Sequence, residues 1–190
     1  MSTNSNSRFS RFGTSLIHRA SAVVVFFFAI ASFTDFALAA SHEDRAALEK
    51  RHNHANELYA QGKHEEAEVE LRAVVAAARR VLGPEHRHTL IIRDNLGKAL
   101  YAQGKYAVAE KEYRAVLAIR ERAMGESHDD IYLSCDHLAA CLAKQHKAPE
   151  ALDFARRAYE GWHTMYGENH LYTKNARKLL EELEQSQKPR

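Results

Sequence analysis

The sequence has little proline, glycine and cysteine: 3, 8 and 2 of its 190 residues. So few cysteines exclude a disulfide-rich scaffold, and the scarcity of glycine and proline excludes a collagen-like or low-complexity chain. An excess of charge is also missing, because 27 basic residues stand against 25 acidic ones. Beyond residue 39 the balance is 24 to 24. We therefore expect no nucleic-acid partner, which would require a basic surface.

The motifs of common enzymes are also missing. The sequence contains no Walker loop, nucleophile elbow, dinucleotide-binding glycine cluster or Cys-x-x-Cys pair. Twelve histidines are many, but the pairs His52-x-His54 and His86-x-His88 are spaced i, i+2, which directs their side chains away from each other on a helix. We predict that the chain is not an enzyme, binds no cofactor and has no metal site.

Two cysteines, Cys135 and Cys141, fall on one predicted helix and are separated along its axis by about 9 Å. That distance is too long for a disulfide between them. We interpret both as small, semi-buried hydrophobic side chains. An intermolecular bridge through Cys141 is left open.

The N-terminus has the three parts of a secretory signal. A polar region with three arginines precedes the uncharged segment 20–33, and alanines at positions 37 and 39 provide small residues at the −3 and −1 positions of a cleavage site. We predict a signal peptide over 1–39 and export to the periplasm or the extracellular space. The alternative is an uncleaved membrane anchor, although Asp35 interrupts the apolar segment well short of the 20 or so residues that a span needs.

A period of 42 residues organises the rest of the chain. The segment 59–63, Tyr-Ala-Gln-Gly-Lys, returns as 101–105 and, in altered form, as 143–147. The segment 82–86, Leu-Gly-Pro-Glu-His, returns in related form at 124–128 and 166–170. Several anchors that recur at one spacing indicate a repeat array, whose units bury their apolar faces by stacking on their neighbours.

Within each period the apolar spacing is helical. Ile92, Leu96, Ala99 and Leu100 have the i, i+4, i+7, i+8 pattern of an amphipathic helix. The pattern predicts three helix pairs, a lone capping helix and a tail. Their bounds are 44–60 with 65–82, 87–102 with 106–124, 129–144 with 149–166, then 171–184 and 185–190.

The second unit resembles the tetratricopeptide repeat. Leu96-Gly97, Leu100, Gly104, Tyr106, Ala109 and Tyr113 fall at the spacing of that signature, and the 42-residue unit looks like the kinesin-light-chain subclass. The resemblance covers 44–186 and implies an all-α, right-handed superhelical solenoid of about three helix pairs plus a C-terminal capping helix. The first repeat departs from it with Ala55 at the position of Gly97. The third departs at its turn, with His146 in place of glycine and Pro149 opening its second helix.

The resemblance further implies a concave groove, lined by the first helix of each pair, that binds a peptide or a partner helix. Helical phase places Asp94, Asn95, Lys98 and Tyr101 on the stripe opposite the buried one. An asparagine there offers both a donor and an acceptor to a peptide backbone. The predicted peptide-binding residues are Asn53, Asn56, Tyr59, Asp94, Asn95, Lys98, Tyr101, Asp136 and His137.

The function expected from these observations is that of a non-enzymatic, exported protein–protein interaction module. Two alternatives remain open: a homo-oligomer built by end-to-end stacking, and a membrane-anchored scaffold if the signal is retained. Histidine content is the single feature that favours an enzyme or a metal sensor. His86, His128 and His170 recur with the repeat, however, so we interpret them as architectural.

Overall fold

The computed structural model describes residues 44–124 and 128–187. The predicted signal segment 1–39 and the corner glycine Gly125 lie outside these residues. The described residues from Ala47 onward belong to one compact unit.

The regular structure of the described residues is helical throughout. Helix α1 covers 44–60. The others are α2 (His64–Val81), α3 (Arg87–Ala102), α4 (Tyr106–Met124), α5 (Asp129–Lys144), α6 (Ala148–Tyr166) and α7 (Leu171–Ser186). Their ends differ from the predicted ones by two residues at most. The largest difference is at α7, which includes Gln185 and Ser186 because neither residue breaks a helix.

From α2 onward, each helix packs against the next one along the chain, and α5 also contacts α7. Helices α1, α3 and α5 are the first members of the three pairs, α2, α4 and α6 are the second, and α7 follows the last pair as a single helix. Close packing within the second pair depends on Gly97. A Cβ atom there would lie 2.5 Å from Cε1 of Tyr113 on α4. Ala55 and Leu71 occupy the corresponding positions of the first pair and are fully buried.

The turn inside each helix pair has the same backbone geometry three times. Gly62, Gly104 and His146 adopt φ values of 78°, 75° and 59°. Three residues past the helix end, the amides of Lys63, Lys105 and Lys147 donate to carbonyl oxygens five residues earlier in the chain, at 2.9–3.0 Å. His146 therefore preserves the turn by entering the left-handed region, which L-residues rarely occupy.

The recurring histidines cap α3, α5 and α7. Nδ1 of His86, His128 and His170 accepts a hydrogen bond from the backbone amide two residues later, at 3.1, 3.2 and 3.3 Å. A side chain that accepts from the first turn satisfies a donor that the helix itself leaves unpaired. Their recurrence is thus architectural, as the sequence indicated.

A buried carboxylate ties each of the first two pairs to the next turn along the array. Glu68 on α2 accepts from Gln103 and Lys105, both at 2.8 Å, and from Arg72 within its own helix. Forty-two residues later, Glu110 accepts in the same way from Gln145 and Lys147, at 2.8 Å, and from Arg114. Leu152 stands at this position in the third pair and packs instead on the core near α7.

Both cysteines are free and completely buried. Burial raises the pKa of each thiol to about 12, so both remain protonated and unreactive at neutral pH. The bridge through Cys141 that the sequence left open is therefore wrong, because its sulfur is inaccessible. Within 44–124 and 128–187, no helix is both long enough and apolar enough to cross a membrane.

Candidate functional site

A small pocket of about 120 Å³ opens between α1 and α3. Asn56 and Tyr59 line it from α1, Asn95 and Lys98 line it from α3, and Leu71 of α2 forms its apolar floor. We call these five residues the α1–α3 pocket. The 42-residue period explains why the four polar side chains share one surface. Asn56 and Lys98 are equivalent positions of successive repeats, as are Tyr59 and Tyr101, and equivalent positions of α1 and α3 face the same side.

The carboxamide of Asn95 is already bonded to α1. Its Nδ2 lies 3.0 Å from Oδ1 of Asn56 and 2.9 Å from Nε2 of His52. Both hydrogens of the amide are thus used within the protein. The oxygen Oδ1 of Asn95 is the atom that remains for a ligand.

His52, which the predicted set did not contain, adjoins the pocket through its contact with Asn95. It is 7% exposed and contacts His88 through a 3.3 Å separation between its Nδ1 and Nε2 of His88. Burial lowers the pKa of His52, the neighbouring His88 lowers it further, and Glu49 opposes the change. The period of 42 places His52 at the position of Asp94, and this equivalence was the signal available in the sequence.

Asp94 is not presented to the groove, contrary to the prediction. It is 3% exposed and accepts from Nη2 of Arg120, whose Nη1 donates to Ser134 at 2.6 Å. Burial raises the pKa of Asp94, and the charge of Arg120 opposes that change. Helical phase failed here because α4 supplies a buried arginine that draws the carboxylate inward, which a single helix cannot reveal.

Asp136 and His137 are also engaged inside the protein. Asp136 accepts from Nε1 of Trp162 at 2.6 Å, and burial raises its pKa to about 6. His137 stacks on Tyr113, with ring centroids 4.8 Å apart. Burial, reinforced by Lys98 and Arg120, lowers the pKa of His137 to about 3, so its ring is neutral. The third repeat therefore presents few free polar atoms at these positions.

The two remaining predicted residues differ in their surroundings. Asn53 is exposed on α1 and has no hydrogen bond among those of the described residues. Tyr101 is partly buried and packs edge-on against Tyr106 at 5.1 Å, and burial raises the pKa of its phenol. The assignment of a peptide-binding role to the nine residues remains a prediction. The structure brings Asn56, Tyr59, Asn95 and Lys98 together.

One group of neighbouring side chains has the composition of a cation site. Ligand atoms of His128, Asp129 and Asp130 lie within 4.8 Å of one another. The same atoms begin α5: Nδ1 of His128 and Oδ1 of Asp129 both accept from the amide of Asp130, whose Oδ2 accepts from Arg87 at 3.2 Å. Helix capping accounts for the cluster.

Two family models, each described as "Tetratricopeptide repeat", match residues 44–122 and 133–172. Together they cover well over half of the chain. The chain belongs to the tetratricopeptide repeat family. Such repeats are interaction modules for other proteins, and the all-helical solenoid found here is the expected fold. No curated protein matches the sequence significantly.

Solved structures share the tetratricopeptide fold at low sequence identity. A kinesin light chain with nearly identical TPR-like repeats from Podosopora anserina has a TM-score of 0.68 and 22% identity, covering 73% of this chain and 66% of that one. BtubC (BKLC) from P. vanneervenii has a TM-score of 0.60 and 20% identity, covering 70% and 52%. The chain thus spans about two thirds of the length of the Podosopora anserina protein and about half of the length of BtubC.

A third similar structure contains a ligand. The type III secretion chaperone SycD of Yersinia enterocolitica, in complex with a peptide of the translocator YopD, has a TM-score of 0.57 and 20% identity. The alignment covers 75% of this chain and 95% of SycD. At this identity the likeness establishes a shared fold.

Proposed function

We propose that this protein is a non-enzymatic, exported interaction module that binds an extended peptide or a partner helix in the groove lined by α1, α3 and α5. The observation that carries the proposal is the α1–α3 pocket, where two carboxamides, a phenol and an ammonium group surround an apolar floor. These groups pair with backbone atoms of any sequence, whereas the floor accepts one side chain. Peptide binding by the similarly folded SycD supports the proposal.

The C-terminal end of the array differs from its internal junctions, and this difference does not favour end-to-end stacking of copies. Each internal junction is made by a buried glutamate on one pair and a Gln-x-Lys turn on the next. The first pair offers Gln61 and Lys63 at its exposed end, but the third pair has Leu152 where the glutamate would be. The charged face of α7, with Lys174, Lys178 and Glu182 exposed, then covers that end. A second copy would therefore not meet a buried glutamate like Glu68 or Glu110 at that end.

Affinity capture with the full chain tests the groove. The bait is run beside a groove variant, Asn95→Ala with Lys98→Ala, and a matched control, Lys111→Ala with Gln185→Ala, whose side chains are exposed elsewhere. We expect a partner that the control retains and the groove variant loses, with about a tenfold or larger weakening because a buried amide pair contributes about 1–3 kcal/mol. Circular dichroism confirms that both variants fold.

Two outcomes would contradict the proposal. Equal retention of the partner by both variants would move the binding surface outside the groove. If no partner is captured and sedimentation shows a mass that rises with protein concentration, self-association becomes the better description.

A further inference from the structure

We propose that His52 is a proton-controlled positioning residue, which determines whether the Asn95 carboxamide presents its oxygen or its nitrogen to the groove. This inference rests on the proposed function, since it assigns the regulation of the same pocket. It is carried by a continuous chain of contacts, in which His88, His52, Asn95 and Asn56 follow one another at 3.3, 2.9 and 3.0 Å.

With the Asn95 and Asn56 amides oriented as they are in the structure, a neutral His52 has one consistent assignment. Nδ2 of Asn95 is a donor, so Nε2 of His52 must be the acceptor and its proton lies on Nδ1, facing His88. The second hydrogen of the same amide goes to Oδ1 of Asn56. Asn95 therefore turns its carbonyl oxygen toward the pocket, where it can accept a backbone N–H of a bound segment.

Protonation of His52 makes this assignment untenable. Both ring nitrogens of an imidazolium are donors, so Nε2–H would face Nδ2–H of Asn95 at 2.9 Å. A half-turn of the Asn95 amide replaces that repulsion with a charge-assisted hydrogen bond from His52 to Oδ1. Asn56 must turn as well, so that its own Nδ2 donates to the same oxygen. The nitrogen of Asn95 then faces the pocket and donates to a backbone carbonyl.

The surroundings of His52 determine whether its neutral or its protonated form, and with it which orientation of the Asn95 amide, is favoured at a given pH. His52 is buried, and the titratable groups that act on it are His88 on α3 and Glu49 on α1. Burial and His88 favour the neutral ring, whereas Glu49 favours the charged one. The neutral assignment therefore prevails at pH 7, and the inverted one appears on acidification.

The consequence concerns the register of a bound segment. An extended chain presents N–H and C=O groups alternately along one edge. A pocket that requires an N–H at neutral pH and a C=O in acid can hold the same segment only after it moves along the groove. Acidification is thus expected to release or shift a partner that was bound at pH 7.

The ligand-free protein provides the test, so its outcome is independent of whether a partner is found. The full chain, uniformly labelled with 15N, is titrated by NMR from pH 7.5 to 4.5. We expect Nε2 of His52 to be unprotonated at the start and the Asn95 NH₂ protons to show NOEs to the His52 ring. Those NOEs should disappear as the pH falls through the titration midpoint of His52. A protonated Nε2 at pH 7.5, or NOEs that persist through the midpoint, would overturn the proposal.

Two variants separate His52 from its neighbour. His52→Gln places a non-titrating acceptor near the position of Nε2, and the Asn95 NOEs to this side chain should then persist at all pH values. His88→Gln removes the second imidazole, so the response of Asn95 should remain and its midpoint should rise. If His88→Gln abolishes the response, the proposal is wrong. If His52→Gln does not fold, the wild-type titration and His88→Gln still decide the question.

Discussion

At the scale of single residues, equivalent positions of the first two repeats fill the contact between paired helices with different side chains. The second pair combines Gly97 with Tyr113, whereas the first combines Ala55 with Leu71. A small residue on one helix makes room for the ring on the other, and a larger one requires a shorter partner. Such compensation is expected where interiors are close-packed.

The pair Gly97–Tyr113 gives a direct prediction. Gly97→Ala should destabilise the protein by about 1–3 kcal/mol, because its Cβ would lie 2.5 Å from the Tyr113 ring. The double variant Gly97→Ala with Tyr113→Leu copies the first pair. It should lose less stability than the sum of the losses of the two single variants. Urea unfolding of the three variants measures this coupling. Strict additivity would mean that the ring and the glycine do not compete for space.

At the scale of elements, the buried glutamates Glu68 and Glu110 link successive repeats through charge. Burial would raise the pKa of Glu110, but hydrogen bonds from Lys147, Arg114 and Gln145 outweigh it and lower the pKa to about 2. Glu68 has the same environment and also a pKa of about 2. Each junction therefore depends on an ionised carboxylate.

The pH dependence of stability follows from these two groups. An unfolded glutamate has a pKa near 4.5, above the folded value of about 2, so the stabilisation is complete above pH 4.5 and is lost as the pH falls toward 2. Glu110→Gln should lower stability at pH 7 by about 1–3 kcal/mol and flatten this acid limb. Thermal melts from pH 7 to 2.5 measure both effects. The exposed Glu66→Gln serves as the control and should change neither.

The turns between paired helices give a second prediction at this scale. His146 has a φ of 59°, which costs an L-residue about 1 kcal/mol relative to glycine. His146→Gly should therefore stabilise the protein by about that amount. The reciprocal change Gly104→Ala, at a φ of 75°, should destabilise it similarly. Chemical unfolding compares the two, and a destabilised His146→Gly variant would show that the imidazole contributes a contact of its own.

At the scale of the whole molecule, the proposed export depends on the segment before the array. We predict that cleavage after Ala39 releases a chain beginning at Ala40, since small residues occupy both positions that a signal peptidase requires. Intact-mass measurement of the protein from a secreting host reads the N-terminus directly. Ala39→Asp should block cleavage, whereas Ala40→Ser should not. An uncleaved wild-type chain in the membrane fraction would support the anchored scaffold instead.

The array itself was predictable from sequence because its signals are local and repeated. The helical spacing of Ile92 to Leu100 depends on residues close together in the chain, and the period of 42 and the recurring corners are recognised by comparing short segments with one another. They were sufficient for the fold class and for helix ends within two residues. They also identified Asn56, Tyr59, Asn95 and Lys98 as neighbours, since one period along the array corresponds to one step across the groove.

The availability of the polar groups, in contrast, depends on contacts between helices. Asp94 is neutralised by Arg120 from the following helix, Asp136 is bonded to Trp162, and His137 is covered by Tyr113. His52 contacts the Asn95 amide at 2.9 Å from the neighbouring repeat. These outcomes depend on side chains 24 to 43 residues apart in the sequence. Helical periodicity reports which face a residue occupies, but the burial and pairing of a charge depend on the atoms that a second helix brings to that face.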